Sequence, residues 1–433
     1  MISLGRALRH RNYRLFFLGQ GTSLIGTWLT RVATAWLVYR LTQSALLLGV
    51  VGFAGQIPAF LLAPLAGVIV DRTSRHRVLV VTQVLAMVQS GLLAFFALHG
   101  TVTVWHVLVL SVAQGLINAF EMPARQSFVV DMVEDRADLP NAIALNSSMV
   151  NGARLVGPAA AGALIAAFGE GGCFAIDAAS YVAVIGSLLL MHVVPVPRRA
   201  ARARILGDLA EGFRYVAASR TIRSILMLLA LASLVGMPYM VLLPIVVGKV
   251  LDGGPYLLGY LTAASGVGAL AGALYLASRK SVLGLGRVIA LGALCFGGGL
   301  VAFSCSRTVW LSLVLMLVTG GGMMLQMAAS NTVIQTLVDD EKRGRVMSLY
   351  AMAFFGTLPF GSLVSGAVAS RIGAPETLLV AGVLLVIGAL LFLRSLPQIR
   401  VAARPTYERL GILPRIAEGL DAASVIPLPP VDH

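Results

Sequence analysis

The chain has 433 residues, a formal net charge of +14 and a mean hydropathy of +0.87, and it is 58% hydrophobic but only 12% charged. A soluble domain carries about a quarter charged residues, so this composition excludes a soluble globular protein of this length. Apolar stretches of about 20 residues recur, which is the length that crosses a bilayer as a helix, whereas the short alternating strands of a transmembrane β-barrel are not found in the sequence. The sequence therefore predicts an all-α polytopic membrane protein.

Twelve membrane-spanning helices are predicted from the apolar stretches. They divide the chain into an N-terminal six-helix half at 1–194, a linker at 195–223, a C-terminal six-helix half at 224–394 and a tail at 395–433. In chain order the predicted spans cover 14–39, 45–70, 78–98, 104–128, 142–168, 173–194, 222–248, 256–278, 287–306, 308–333, 345–370 and 376–394.

The basic residues lie mostly on one side of the predicted membrane. If both termini are cytoplasmic, 27 of the 33 Lys and Arg residues lie on that side, four lie on the other side, and Arg31 and Arg154 lie inside helices. This asymmetry follows the positive-inside rule, so both termini and the linker are predicted to be cytoplasmic. A nucleic-acid-binding protein would collect its charge in one patch, so the excess of basic residues does not indicate a nucleic-acid partner.

The linker contains a segment with helical hydrophobic periodicity. Leu206, Leu209, Phe213 and Val216 recur at helical spacing beside charged residues, which predicts a short amphipathic helix over 205–218 at the membrane surface. The tail after Arg394 is weakly hydrophobic and contains prolines, and it is predicted to be a cytoplasmic tail.

The two predicted halves share residues at a constant offset. A shift of 204 positions aligns several identical residues in the fourth-to-fifth and tenth-to-eleventh span regions, and such parallel repeats are typical of transporters that rock around a central site. The aligned pairs are Asp135 with Asp339, Leu145 with Leu349, Gly157 with Gly361, Gly162 with Gly366, and Gly169 with Gly373.

A charged loop joins the second and third predicted spans, where the chain reads GVIVDRTSRHR over 67–77. Gly67 would let two helices approach, Asp71 would meet the N-terminus of a neighbouring helix, and Arg72 and Arg75 would pair with carboxylates. Together with Arg125 at the end of the fourth span, they would form a conformational latch; the alternative is a loop that is merely basic. The segment resembles the loop signature of the major facilitator superfamily, although a serine replaces the glycine usual at position 74.

Four longer segments carry a narrower resemblance. The residues at 26–49, 122–133, 141–162 and 343–366 look like the exporter branch of the major facilitator superfamily that contains enterobactin and macrolide exporters. The likeness covers roughly residues 5–395. It implies the major facilitator fold, with two pseudo-symmetric six-helix bundles, a cavity lined by helices one, four, seven and ten, and export of small molecules.

The fifth predicted span contains a glycine-proline element, Gly157, Pro158 and Gly162, that resembles the one in the fifth helix of exporters. A proline removes a backbone donor and bends a helix, while glycines let helices pack closely. A static kink and a conformational role are both open at this point.

Polar residues inside membrane spans are costly and usually face the interior of the bundle. In this chain they follow faces of the predicted first, fourth, fifth and tenth spans and are expected to line a substrate cavity. The residues are Gln20, Thr27, Arg31, Gln114, Asn118, Asn151, Arg154 and Gln326.

Arg31 and Arg154 are the basic residues at membrane depth. Ion pairs with Asp177 or Glu121 would neutralise them, but so few carboxylates lie at that depth that at least one arginine is expected to face a water-filled cavity. Glu121 is also the candidate for a proton-coupling carboxylate, and the alternatives for it are a pair with Arg125, four residues later on the same helix, or a latch with an arginine of the 67–77 loop.

Several chemistries lack sequence support. The three cysteines show no metal-ligand spacing, no P-loop or hydrolase motif is found, and the G-x-G-x-x-A pattern at 266–271 lies inside an apolar span, where small residues serve helix packing. The chain is therefore expected to be neither an enzyme nor a metal or cofactor protein.

The sequence as a whole predicts a secondary active transporter of the cell inner or plasma membrane. The expected activity is proton-coupled export of small amphipathic molecules, which are anionic or neutral and resemble siderophores or macrolides. The protein is expected to work as a monomer and by alternating access. The alternatives are a broad multidrug efflux pump and a membrane receptor or assembly factor that transports nothing.

Overall fold

The computed structural model describes residues 5–133, 135–192, 205–279 and 281–410, and over these ranges the chain is helical with no strand. Fifteen α-helices are found in these ranges. They are α1 (Arg11–Thr42), α2 (Ala45–Ala54), α3 (Ile57–Arg72), α4 (Arg75–Leu98), α5 (Val104–Phe128), α6 (Leu139–Leu189), α7 (Ile205–Ala218), α8 (Arg220–Leu231), α9 (Tyr239–Lys249), α10 (Pro255–Ser278), α11 (Leu285–Cys305), α12 (Val309–Leu337), α13 (Asp340–Ala351), α14 (Leu358–Ile372) and α15 (Ala374–Arg409).

These helices form twelve spans in two six-helix halves, which confirms the predicted fold. The second span consists of α2 and α3, and π-helical turns at Ala232–Gly236 and Met352–Gly356 join α8 to α9 and α13 to α14. The long helix α6 contains the fifth and sixth spans, because its backbone leaves helical geometry at Gly169, where φ is 69°. Glycine adopts this left-handed conformation without steric cost, so the chain reverses there without a loop.

Ten of the helical segments in the described ranges are long and apolar enough to cross a membrane by length and composition. α6 counts once among these ten although it contains two spans, and α1 is not among them although it has 32 residues. α1 is less apolar because it carries the polar residues expected to face the interior.

Side-chain caps explain where several spans begin. Ser44, Ser74, Thr103 and Ser219 each precede a helix and accept a hydrogen bond from a backbone N–H of its first turn. Such caps satisfy donors that have no partner within the helix. Ser74, which departs from the loop signature of the superfamily, is therefore the residue that starts α4.

The last helix is longer than the sequence indicated. α15 continues past the predicted end at residue 394 to Arg409, whose guanidinium donates to Asp339 Oδ1 at 2.9 Å. Ile399 and Ala403 in this extension are buried against the core of the C-terminal half, so apolar packing holds it in place. The remainder of the tail, from residue 411, and the linker residues 193–204 lie outside the described ranges.

The two halves meet closely at the end of the bundle away from the chain termini, which we call the closed end. A Cβ built on Gly49 would lie 2.6 Å from Ser362 O, and one built on Gly162 would lie 2.8 Å from Tyr256 Cα. These distances leave no room for a side chain, so α2 packs directly on α14 and the first part of α6 packs directly on α10. Lys249 Nζ also donates across the halves to Gln43 O at 3.5 Å.

The opposite end carries Arg11, α7 and the end of α15, and we call it the terminal end. Between residues that the structure describes, no hydrogen bond or ion pair joins the two halves there. The bond from Arg345 to Glu211, 2.7 Å long, connects the C-terminal half to α7 of the linker. Among the described residues, the direct backbone contacts between the halves therefore lie at the closed end.

Candidate functional site between the two halves

Arg31 lies on α1 between the two halves, and its side chain is exposed although protein surrounds it. Exposure at such depth requires a space that solvent or a ligand can occupy. The guanidinium lies 4.7 Å from the centre of the Trp28 ring, a favourable cation–π distance. Within the described part of the chain, no carboxylate lies within 4.0 Å of Arg31, so its charge is not neutralised by an ion pair.

Arg154 lies on the first part of α6, where the two halves meet. A Cβ built on Gly266 of α10 would lie 3.2 Å from Arg154 O, so the backbone at Arg154 contacts the C-terminal half. Its half-buried side chain is near enough to repel Arg31 and to act on the hydroxyl of Tyr239, which bonds Ser265 Oγ at 2.7 Å. Among described residues Arg154 also lacks an ion-pair partner, so two uncompensated positive charges converge on this region.

The polar face of α5 forms two side-chain pairs. Gln114 Nε2 donates to Asn118 Oδ1 at 3.0 Å, and Glu121 lies 3.6 Å from Arg125. All four side chains are half-buried. This ion pair is one of the alternatives to a proton-coupling role for Glu121. The Glu121 carboxylate therefore contacts its own helix and not the 67–77 loop.

The other predicted cavity residues fall into two groups. Thr27 and Asn151 are half-buried and donate to carbonyls four residues earlier on their own helices, Ser23 O and Ser147 O. Gln20 and Gln326 are 3% and 1% exposed, and the expectation that they line the cavity is wrong for this conformation. Helical spacing placed them on polar faces, but those faces pack inside their own halves.

Sequence reasoning missed polar residues farther along α12. Gln335 donates to Asn331 Oδ1; the side chain of Asn331 is half-buried and that of Gln335 is exposed. Tyr350 on α13 donates to Met327 O at 3.0 Å. The signal was present, because Asn331 and Gln335 continue the polar spacing of α12, the first inside the predicted span and the second beyond its predicted end at 333.

The 67–77 loop is held by Arg75. Its guanidinium donates to Ser127 O at 2.9 Å and lies 3.3 Å from Asp131 and 3.4 Å from Asp71. Asp71 is largely exposed and Arg72 is exposed. The loop is therefore tied to the end of α5 by one half-buried arginine, with Asp71 as a peripheral partner.

Two expectations about this loop are wrong. Arg125 does not join it, because it pairs with Glu121 one turn away. A Cβ built on Gly67 would meet no described atom within 4 Å, so Gly67 does not permit a close helix contact in this conformation.

The glycine-proline element serves close packing. A Cβ on Gly157 would meet the Trp28 side chain, and Gly162 with Pro158 forms the contact surface for Gly259 on α10. The only non-helical backbone angles inside α6 are at Gly169, so the chain direction changes there rather than at Pro158. Gly157 thus positions the indole that contacts Arg31.

Asp177 on the second part of α6 is buried, with 2% of its surface exposed. Its Oδ2 accepts hydrogen bonds from Thr30 at 2.7 Å and Ser90 at 2.6 Å. Neither arginine at membrane depth pairs with it, so the ion pairs considered in the sequence are not formed. In the described ranges no group of three or more metal-ligating residues is found.

Comparisons with known proteins agree with this architecture. The chain is 26% identical over 375 residues to a staphyloferrin A transporter of Staphylococcus aureus, covering 86% of this chain and 92% of that protein. It is 23% identical to macrolide efflux protein A of Streptococcus pyogenes, covering 87% and 95%, and 26% identical to the multidrug efflux pump Tap of Mycolicibacterium fortuitum, covering 89% and 96%.

Solved structures share the fold at low sequence identity. A bacterial homologue of the human lysosomal transporter Spinster, in an inward-facing and unoccupied conformation, superposes with a TM-score of 0.70 at 15% identity, covering 92% of this chain and 98% of that one. The nucleoside transporter NupG gives a TM-score of 0.67 at 16% identity, covering 89% and 98%. A family model described as transmembrane secretion effector matches residues 4–418, and the chain therefore belongs to this exporter family of the major facilitator superfamily.

Proposed function

We propose that this transporter is a proton-coupled exporter of small amphipathic organic molecules that are anionic or neutral. The observation that carries the proposal is Arg31, a guanidinium that is accessible between the halves and has no carboxylate partner among the described residues. A buried or semi-buried charge is costly unless it is paired or hydrated. An anionic group of the cargo would supply the missing partner, and the Trp28 ring beside it offers an apolar surface for the rest of the molecule.

The proposed transport cycle is alternating access of two rigid halves. Direct glycine contacts hold the closed end, while the terminal end is free of bonds between described residues of the two halves. We assign the terminal end to the cytoplasm, because 27 of 33 basic residues lie on that side. Cargo would then enter from the cytoplasm and leave when the glycine contacts separate, with the protein working as a monomer in the cell membrane.

The charge distribution favours anionic over cationic cargo. A pump for cationic drugs would need an exposed carboxylate in the cavity, but Glu121 is neutralised by Arg125 and Asp177 is buried behind α1. The staphyloferrin A transporter and the macrolide efflux protein among the relatives support small organic cargo of the siderophore or macrolide type.

The test is transport in a strain that lacks the gene, complemented with the wild-type chain or with Arg31→Gln. We expect wild-type cells to expel a hydroxycarboxylate siderophore and to retain ethidium, with export depending on the proton gradient. A resistance profile dominated by cationic dyes would favour the broad multidrug pump instead. An absence of any flux from proteoliposomes of purified protein, across siderophore, macrolide and dye, would favour a receptor or assembly factor.

A further inference from the structure

Asp177 is a buried carboxyl group that the proposed cargo site does not use. It lies on the second part of α6, behind α1 as seen from Arg31, and 2% of its surface is exposed. From the geometry around it we infer that Asp177 is a proton-binding residue that carries a proton in this conformation. The inference deepens the proposed function, since it rests on proton coupling and names the group that would bind the proton.

The two carboxyl oxygens have different surroundings. Oδ2 accepts from the hydroxyls of Thr30 and Ser90 at 2.7 and 2.6 Å, whereas Oδ1 is buried without any hydrogen-bond partner among the described residues. No cation of the described chain lies within 4.0 Å of either oxygen. An ionised carboxylate in this position would have half of its charge unsolvated in a low-dielectric interior, and a proton on Oδ1 removes that cost.

A protonated Oδ1 has an acceptor beside it. Ser180 Oγ donates to Asp177 O at 2.7 Å, so its proton is already engaged and its lone pairs can accept. Both Ser180 Oγ and Asp177 Oδ1 lie against Gly26, within 2.6 Å of where a Cβ on that glycine would be. The same Gly26 and Ser180 line a cavity of about 680 Å³ between α1 and the two parts of α6, so the carboxyl lies directly behind the wall of this cavity.

The site is connected to the cargo site through α1. Thr22, Thr27 and Thr42 on this helix each donate to the carbonyl four residues earlier, which is the usual bond for a helical threonine. Thr30 instead donates across to Asp177, and the next residue is Arg31. Loss of the proton would leave a charged Oδ1 without a donor, and water could supply that donor if α1 moved away from α6. Because Arg31 follows Thr30 on α1, such a movement would displace Arg31.

Other titratable groups near Asp177 do not provide an alternative proton site. Tyr181 on α6 is buried, and both Asp177 and the Glu121–Arg125 pair on α5 are near enough to act on it electrostatically. The elements packed directly on the carboxyl, α1 and α4, present hydroxyls from Thr30 and Ser90. Arg31 is the charged residue on the adjacent position of α1, and it faces away into the space between the halves.

The test is infrared spectroscopy of the purified full-length protein in lipid nanodiscs, which reports the C=O stretch of protonated carboxyl groups. We expect a carboxylic acid band at mildly acidic pH that disappears in Asp177→Asn and stays in Glu170→Gln. Glu170 is the matched control, because it is also buried but, unlike Asp177, has a cationic partner, Arg40, on both carboxyl oxygens. A band that persists unchanged in Asp177→Asn, or its absence from the wild type, would overturn the inference.

A second variant keeps the test decisive if Asp177→Asn fails to fold. Ser90→Ala removes one donor to Oδ2, so the band should shift in frequency, and an unmoved band would assign it to another carboxyl. Transport is measured separately, with dansylglycine as the probe in proteoliposomes. If the wild type does not respond to a pH gradient, proton coupling fails as a function, while the infrared band still decides whether Asp177 holds a proton.

Discussion

Replacement of Arg31 is the most direct test of the cargo class. Arg31→Gln keeps a polar side chain that can form hydrogen bonds, but it shortens that side chain and removes the charge. Since no ion pair among the described residues depends on Arg31, and its guanidinium contacts the Trp28 ring at 4.7 Å, the folded protein should lose at most the cation–π term, about 0.5–1 kcal/mol. Binding of an anion should lose more, because hydrogen bonds to charged groups contribute about 1.5–3 kcal/mol each.

The matched ligands are dansylglycine and its amide, which share a fluorophore and differ by one carboxylate. At about 1.4 kcal/mol per factor of ten, Arg31→Gln should weaken dansylglycine binding roughly 10- to 150-fold and change binding of the amide by less than about fivefold. Arg31→Lys should recover part of the loss, since a point charge remains without the bidentate fork.

The assay is fluorescence titration of purified variants whose thermal unfolding matches that of the wild type. Equal losses for the acid and the amide would refute the anion site. A collapse in folding that is reversed by removing Asp177 or Glu121 would refute it too, because it would reveal an ion pair that these side chains form with the arginine.

Three further outcomes are expected. Gly49→Val should destabilise the closed end, since its Cβ would lie 2.6 Å from Ser362 O. Distances between spin labels placed across that end should lengthen in this variant. Gly91→Val is the control and should leave these distances unchanged, because there is open space around Gly91. Arg75→Gln should impair transport more than Asp71→Asn, because Arg75 also binds Ser127 O and Asp131. Asp71→Asn removes only the exposed ion pair between Asp71 and Arg75, and a pair four residues apart on a helix contributes about 0.3–0.5 kcal/mol. Equal transport rates in both variants and the wild type would leave the loop with a role in topology alone. Cysteines introduced in the 195–223 linker should resist an impermeant maleimide in intact cells, and labelling from outside would reverse the assignment of the cytoplasmic side.

Much of the fold could be predicted from the sequence because the bilayer imposes a simple length rule. Apolar stretches of about 20 residues fix where spans lie, and the predicted boundaries fall within or near the observed helices throughout. The prediction missed the extension of α15 to Arg409, because a helix that leaves the membrane no longer needs an apolar composition. Its buried positions, Leu396, Ile399 and Ala403, are too few to raise the mean hydropathy of the segment.

The candidate site was harder to predict, because helical spacing gives a polar face but not the neighbour that this face meets. Gln20 and Arg31 both looked interior, yet the side chain of Gln20 is buried and that of Arg31 is exposed. Asp177 was expected to form an ion pair with an arginine because of its negative charge and its depth in the membrane alone. Its actual partners, Thr30 and Ser90, come from two other helices, and a hydroxyl inside an apolar span gives no sequence signal of which residue it will contact. The carboxylates at membrane depth can be counted in the sequence and are few, so an arginine without an ion-pair partner was predictable. A buried carboxyl group that accepts hydrogen bonds from neutral hydroxyls was not predictable.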